Sequence, residues 1–200
     1  MNNKNVIINF ASLSLTTDLE NDKYATLSWS IRNGYPRASV YFNNSRKERL
    51  AFSYDNLITS PFTQVMIYTV IDKIKDVIKA EKGTKTSVKC FNTKYSNNGP
   101  TDEIYLQSTF VIGKDKDGCV YLAAVAEGKP KIKFILQTNS KWFKVNDNDN
   151  NEITDQAELS VMAAKAYVAR LEAGMNKHLD DVPKRLPSNI PSNFNSDDVI

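Results

Sequence analysis

Alternation of apolar and polar residues dominates the first part of the chain. Over residues 24–31, Ala25, Leu27, Trp29 and Ile31 fall on one face and Tyr24, Thr26, Ser28 and Ser30 on the other. That period of two marks a half-buried strand, and another is expected ahead of it at about 6–15. After the Asn33-Gly34-Tyr35-Pro36 turn, residues 37–42 alternate again with Ala38, Val40 and Phe42 inward. Beyond Asn43-Asn44-Ser45, residues 47–54 read as a fourth strand with Glu48, Leu50 and Phe52 on one side.

The period then changes. Ser60 before Pro61 has the form of a helix cap followed by a proline at the first helical position. Phe62, Val65, Met66, Val70, Ile74, Val77 and Ile78 recur at three- and four-residue spacing until Gly83. This predicts an amphipathic helix over about 61–82. The same order follows again. Strands are expected at about 86–95, 103–113, 119–126 and 131–138, with turns at Asn97-Asn98-Gly99-Pro100, 114–118 and 127–130. A polar loop at 147–152 leads to Thr154 as the cap of a second helix, about 155–178. Leu159, Met162, Ala163, Ala166 and Met175 form its apolar side.

The pattern predicts an α+β fold: two tandem strand-strand-strand-strand-helix units, about 5–83 and 86–179, forming antiparallel sheets backed by two long helices. A helix laid across a sheet is the simplest way to bury the sheet's apolar face. No linker follows Gly83, so one domain over 1–182 is expected. Its core should include Leu27, Trp29, Val40, Leu50, Leu106, Phe110, Leu122, Phe134 and Leu136. From residue 183 the composition shifts to Pro, Ser and Asn without periodicity, and 183–200 is expected to be a disordered tail with an acidic tip.

Composition narrows the function classes. The chain is 41% hydrophobic and 24% charged, as ordinary globular proteins are. It has no apolar run near the length of a membrane span. The first residues, MNNKNVIINF, lack the apolar stretch of a signal peptide, so a cytoplasmic location (host cytoplasm for a viral protein) is expected. Cys90 and Cys119 are the only cysteines and fall in predicted strands, where a small buried hydrophobe is the usual role. His178 is the sole histidine, which excludes most histidine triads and multi-histidine metal sites. No glycine-rich phosphate loop is present. We therefore expect no catalytic residue, cofactor or metal, and no enzyme. Asp147, Asp149, Asn151, Asp155 and Glu158 match ligand positions of a calcium loop, but Glu152 stands where that loop needs glycine. A solvated loop feeding a helix N-terminus is the expected reading.

The candidate chemistry lies on the outward strand faces. With the large aliphatics inward, the opposite face carries Tyr24, Arg37, Tyr41, Lys47, Arg49, Lys89, Phe91, Tyr95, Tyr105, Tyr121, Lys131 and Lys133. Single-stranded nucleic acid offers phosphates to Lys and Arg and unpaired bases to aromatic rings. Tyrosine and lysine also favour half-exposed strands on structural grounds, and such faces also join subunits. A homo-oligomer is expected. A structural or virion self-assembly protein without nucleic-acid binding is the competing reading. The net charge is +3, and the tail from residue 186 holds Asp197 and Asp198 but no Lys or Arg, so the body is the more basic part.

Two tandem four-strand-plus-helix units followed by a tail resemble the Whirly type of single-stranded DNA-binding fold, related in architecture to the PC4-like proteins. The resemblance rests on element order over about residues 5–180. The plant family's KGKAAL strand motif is absent, so no binding residue is taken from it. It implies a protein that coats and protects single strands during replication or recombination, largely without sequence choice, with DNA or RNA as the partner. The tip Asp197, Asp198, Val199 and Ile200 resembles the acidic, hydrophobic-ended tails with which bacterial and phage single-strand-binding proteins dock replication proteins. The abundance of Asn and Lys suits a bacteriophage gene.

Overall fold

A computed structural model describes residues 7–19, 24–43, 57–96, 99–137 and 144–179. Strands and helices alternate in two rounds. The first comprises β1 (Ile7–Asn9), a 3-10 turn (Ala11–Leu13), β2 (Leu15–Asp18), β3 (Tyr24–Arg32), β4 (Tyr35–Asn43), β5 (Leu57–Pro61) and helix α1 (Gln64–Lys79). The second comprises β6 (Lys85–Ser96), β7 (Gly99–Lys114), β8 (Val120–Val125), β9 (Phe134–Ile135) and helix α2 (Gln156–Leu179). Each round builds one antiparallel sheet, in the orders β1-β3-β4-β5 and β6-β7-β8-β9. The fold class is α+β, with two antiparallel sheets and two helices among the described residues.

The strand expected at 6–15 is two short strands. β1 and β2 share one edge of β3, pairing with Ser30–Arg32 and Tyr24–Leu27 respectively. The 3-10 turn between them drops Leu13 into the core while Phe10 N–H donates to the Trp29 carbonyl at 3.0 Å. The strand expected at 47–54, with core residue Leu50, lies outside the described residues. Ser60 and Pro61 belong to β5 rather than to a helix cap, and an edge strand is where a sheet tolerates proline. The cap of α1 is Thr63, whose Oγ1 accepts the Met66 N–H at 3.1 Å.

The other end of α1 also differs from expectation. It stops at Lys79, where Lys114 Nζ donates to the carbonyls of Ile78 at 3.1 Å and Ala80 at 2.9 Å. A cation reaching in from β7 satisfies acceptors that the helix end leaves open. In α2 the cap is Asp155, not Thr154: its Oδ1 accepts the Ala157 N–H at 2.9 Å. The buried side of α2 runs through Ser160, Ala164, Tyr167, Val168, Leu171, Met175 and Leu179. Met162 and Ala166 are exposed, so the buried stripe is rotated from the aliphatic one. Ser160 explains the rotation. Its hydroxyl donates to the Leu136 carbonyl at 2.6 Å and accepts the Val120 N–H at 2.8 Å, tying the helix to two segments of the second sheet.

One hydrophobic cluster draws on both sheets and both helices. At its centre Trp29, Phe62 and Phe110 meet with ring centroids 5.4 to 6.0 Å apart. Leu27, Trp29, Val40, Phe110, Leu122, Phe134 and Leu136 are all buried as expected. Leu106 is not: it is 49% exposed. Ser108 pairs with Cys90 and Leu106 with Phe91, leaving Gln107 without a partner across the ladder. That extra residue is a bulge, and it sends the following side chains to the opposite faces.

Candidate nucleic-acid interface

The site begins with the face of the first sheet that the core leaves over. Because Ala25, Leu27, Trp29 and Ile31 fill the inner side of β3, Ser30 and Arg32 stand on the outer side. Ser30 is paired with Arg37 on β4, and Arg32 lies one step diagonally from it. Along β4 and β5, Ser39 faces Thr59 and Tyr41 faces Leu57. This polar face forms the floor of a groove of about 710 Å³.

The wall of the groove is β7. Strands β6 and β7 run for 12 and 16 residues while β8 has 6, so their hairpin overhangs the rest of the second sheet as an arm. The bulge at Gln107 turns Tyr105 out of the outer face of its own sheet and to the side of the first. Tyr105 and Gln107 line the groove there, joined by Glu127 and Lys129 from the turn after β8. A device that bends a strand and re-aims its side chains is what assembles this site from two sheets.

The groove carries Arg32, Arg37 and Lys129 against one carboxylate, Glu127. Among the described residues, no ion pair reaches Arg32 or Arg37. Burial, then the nearby Arg32 charge, hold the Arg37 guanidinium below its ordinary value. Its Nε is buried without a hydrogen-bond partner, as is Gln107 Oε1. Two cations side by side in a concave, partly dry site repel one another and favour an anionic ligand.

The structure divides the expected binding residues into two groups. Arg37, Tyr41 and Tyr105 meet in the groove. Tyr24 is half-buried at the other end of β3, paired with Asn43. On the outer face of the second sheet stands Lys89, opposite Thr109, and the exposed Lys131 and Lys133 lie in the segment just before β9. Phe91 follows beyond the bulge and is 56% exposed. Tyr121 shares this face but offers no open ring: it is only 8% exposed. It lies over Gly113, where an added Cβ would meet the ring at 2.4 Å, and Lys133 Nζ covers it at 4.7 Å from its centroid. Lys47, Arg49, the Tyr95 side chain, and the tip Asp197, Asp198, Val199 and Ile200 lie outside the described residues.

Arg32, Gln107, Glu127 and Lys129 line the groove but escaped the sequence reading. Arg32 continues the polar series 24, 26, 28, 30 and was findable by extending the strand one residue. Gln107 acquires its role from the bulge, which leaves no pattern in the residues themselves. The acidic loop closes on itself: Asp147 Oδ1 accepts the N–H groups of Asp149 and Asn151 at 3.0 and 2.8 Å, which holds its carboxyl below the ordinary value. His178 packs edge-on to Phe10 at 5.8 Å. Burial pushes the Cys90 thiol up, the wrong direction for a nucleophile. No protein-family model matches the chain, and none of the curated proteins compared with it matches either.

Proposed function

We propose that this protein binds single-stranded nucleic acid along the groove between its two sheets, coating and protecting strands during replication or recombination. The observation that carries the reading is the meeting of Arg32, Arg37, Tyr41 and Tyr105 in one concave site drawn from three strands. The guanidiniums suit phosphates, and the rings suit unpaired bases. Phosphate contact and stacking are both tolerant of base identity, so the binding is largely sequence-independent. Lys89, Lys131 and Lys133 offer a separate set of cations on the second sheet's side. We take the two sheets and two helices as a Whirly-like arrangement and the tail tip as the hook for replication proteins.

The test is fluorescence anisotropy of a labelled oligonucleotide, single-stranded against duplex, at two salt concentrations. Single strands should bind more tightly, with a log-log salt slope of about −0.7 per neutralised phosphate. Equal binding to duplex, or no binding at low salt, overturns the proposal.

One feature favours a second reading, self-assembly without nucleic acid. Phe91, Ile104 and Leu106 share one face of the β6–β7 arm and are 56%, 71% and 49% exposed. Sedimentation of the protein alone separates the two readings. Assembly that Ile104→Ser and Leu106→Ser abolish, in a protein that ignores oligonucleotides, would establish the second.

A further inference from the structure

Arg37 Nε and Gln107 Oε1 are the two buried side-chain polar atoms without a partner among the described residues, and both side chains line the groove. They are opposite in character. Arg37 Nε–H can only donate, whereas Gln107 Oε1 can only accept. A phosphate or carboxylate would satisfy the arginine and leave the glutamine oxygen unpaired, because such anions offer acceptors alone. A ligand that satisfies both must bring an N–H or O–H donor together with an acceptor.

Nucleobase edges carry that combination. Adenine and cytosine pair an amino group with a ring nitrogen, and thymine pairs its ring N–H with a carbonyl. In a duplex these edges are taken by the complementary base. Gln107 is also no incidental surface residue: it is the unpaired residue of the β7 bulge, held where the arm turns toward the first sheet.

We propose that Gln107 and Arg37 form a base-edge subsite. A small rotation of the Gln107 amide toward the groove lets its oxygen accept the N–H of one unpaired base. Arg37 donates to the neighbouring acceptor of that base or to its phosphate, and Tyr105 supplies an adjacent ring. The proposal rests on the single-strand reading above and adds to it the recognition of a base by its edge as well as by its face. It also supplies a reason for rejecting duplex, since the Watson–Crick N–H of a paired base is already engaged.

The probe is oligo(dT), whose only base donor is the N3–H, compared with the same oligomer methylated at every N3. Wild-type protein should bind the methylated strand about tenfold more weakly, the scale of one base contact. Gln107→Leu should bind unmethylated oligo(dT) about tenfold more weakly than wild type and lose the discrimination. Equal wild-type affinity for the two strands overturns the subsite while leaving single-strand binding intact. Discrimination that persists in Gln107→Leu assigns the donor to another residue and overturns it as well. No binding to either strand instead refutes the single-strand reading on which it rests. The wild-type comparison needs no variant to fold, and a thermal melt of Gln107→Leu checks that its fold is intact.

Discussion

Trp29 on β3 donates its indole N–H to the Tyr167 hydroxyl of α2 at 2.7 Å, and that hydroxyl in turn donates to the Leu13 carbonyl at 2.8 Å. The chain of two bonds is buried and joins the first sheet, the second helix and the 3-10 turn, segments 138 and 154 residues apart in sequence. It also explains how a Trp and a Tyr fit inside an apolar core, since each polar end has its partner. Tyr167→Phe keeps the ring and strands both the indole N–H and the Leu13 carbonyl. An unsatisfied buried group costs about 1–3 kcal/mol, so Tyr167→Phe should lower unfolding stability by about that amount or somewhat more. Trp29→Ala, which also opens a cavity, should cost about 3–5 kcal/mol. Urea denaturation followed by circular dichroism measures both, and a neutral Tyr167→Phe would show that the relay contributes nothing.

The same hydroxyl predicts a dependence on alkaline pH. Burial pushes the Tyr167 phenol well above its ordinary value of 10.0, against a smaller opposing effect of the Trp29 hydrogen bond. A folded pKa above the unfolded one means that this contribution is complete below about pH 10 and declines as pH rises past it. The decline is about 1.4 kcal/mol per pH unit until the folded phenol ionises. Wild type should therefore lose more stability than Tyr167→Phe between about pH 9 and 11. Parallel losses in the two proteins would place the titrating group elsewhere.

How far the fold was legible follows from these same contacts. Period-two alternation put Trp29, Phe110 and Phe134 in the core correctly because each strand's parity is local. The stripe of α2 was misread because Ser160 and Tyr167, polar by composition, are buried through bonds to Leu136, Val120, Trp29 and Leu13. Those partners lie far away in sequence. Ser60-Pro61 imitates a helix start that Thr63 provides, and nothing local ranks the two signals. Leu106 and Gln107 depend on a bulge, and a single inserted residue inverts every face assignment beyond it. The groove inherits that uncertainty: its floor was readable from parity, and its wall was not.

Gly113 tests the packing beneath the second candidate surface. Tyr121 lies so close above it that a Cβ would stand 2.4 Å from the ring atoms. Gly113→Ala must therefore displace Tyr121 and with it Lys133. Overpacking of this kind costs about 1–3 kcal/mol. Gly113→Ala combined with Tyr121→Ala should recover part of that loss, since the clash then has no second member. The double-mutant cycle is read by urea denaturation, and simple additivity would rule out the contact as the cause.

Arg37 separates the demands of binding from those of folding. Its guanidinium is partly desolvated, faces the like charge of Arg32, and has an Nε without a partner. Each of these opposes the folded state, so a residue kept for stability alone would not be a cation here. Arg37→Met retains the apolar stem and removes a partly desolvated charge that faces the like charge of Arg32. The thermal midpoint should therefore hold or rise. Single-strand affinity should fall, and the salt slope should flatten by about 0.7 for one lost phosphate contact. Lys131→Ala with Lys133→Ala, in the segment just before β9, should flatten the slope as well but leave the discrimination between methylated and unmethylated oligo(dT) unchanged. A destabilised Arg37→Met that binds single strands as wild type does would assign this arginine to the fold and remove the groove from the binding path.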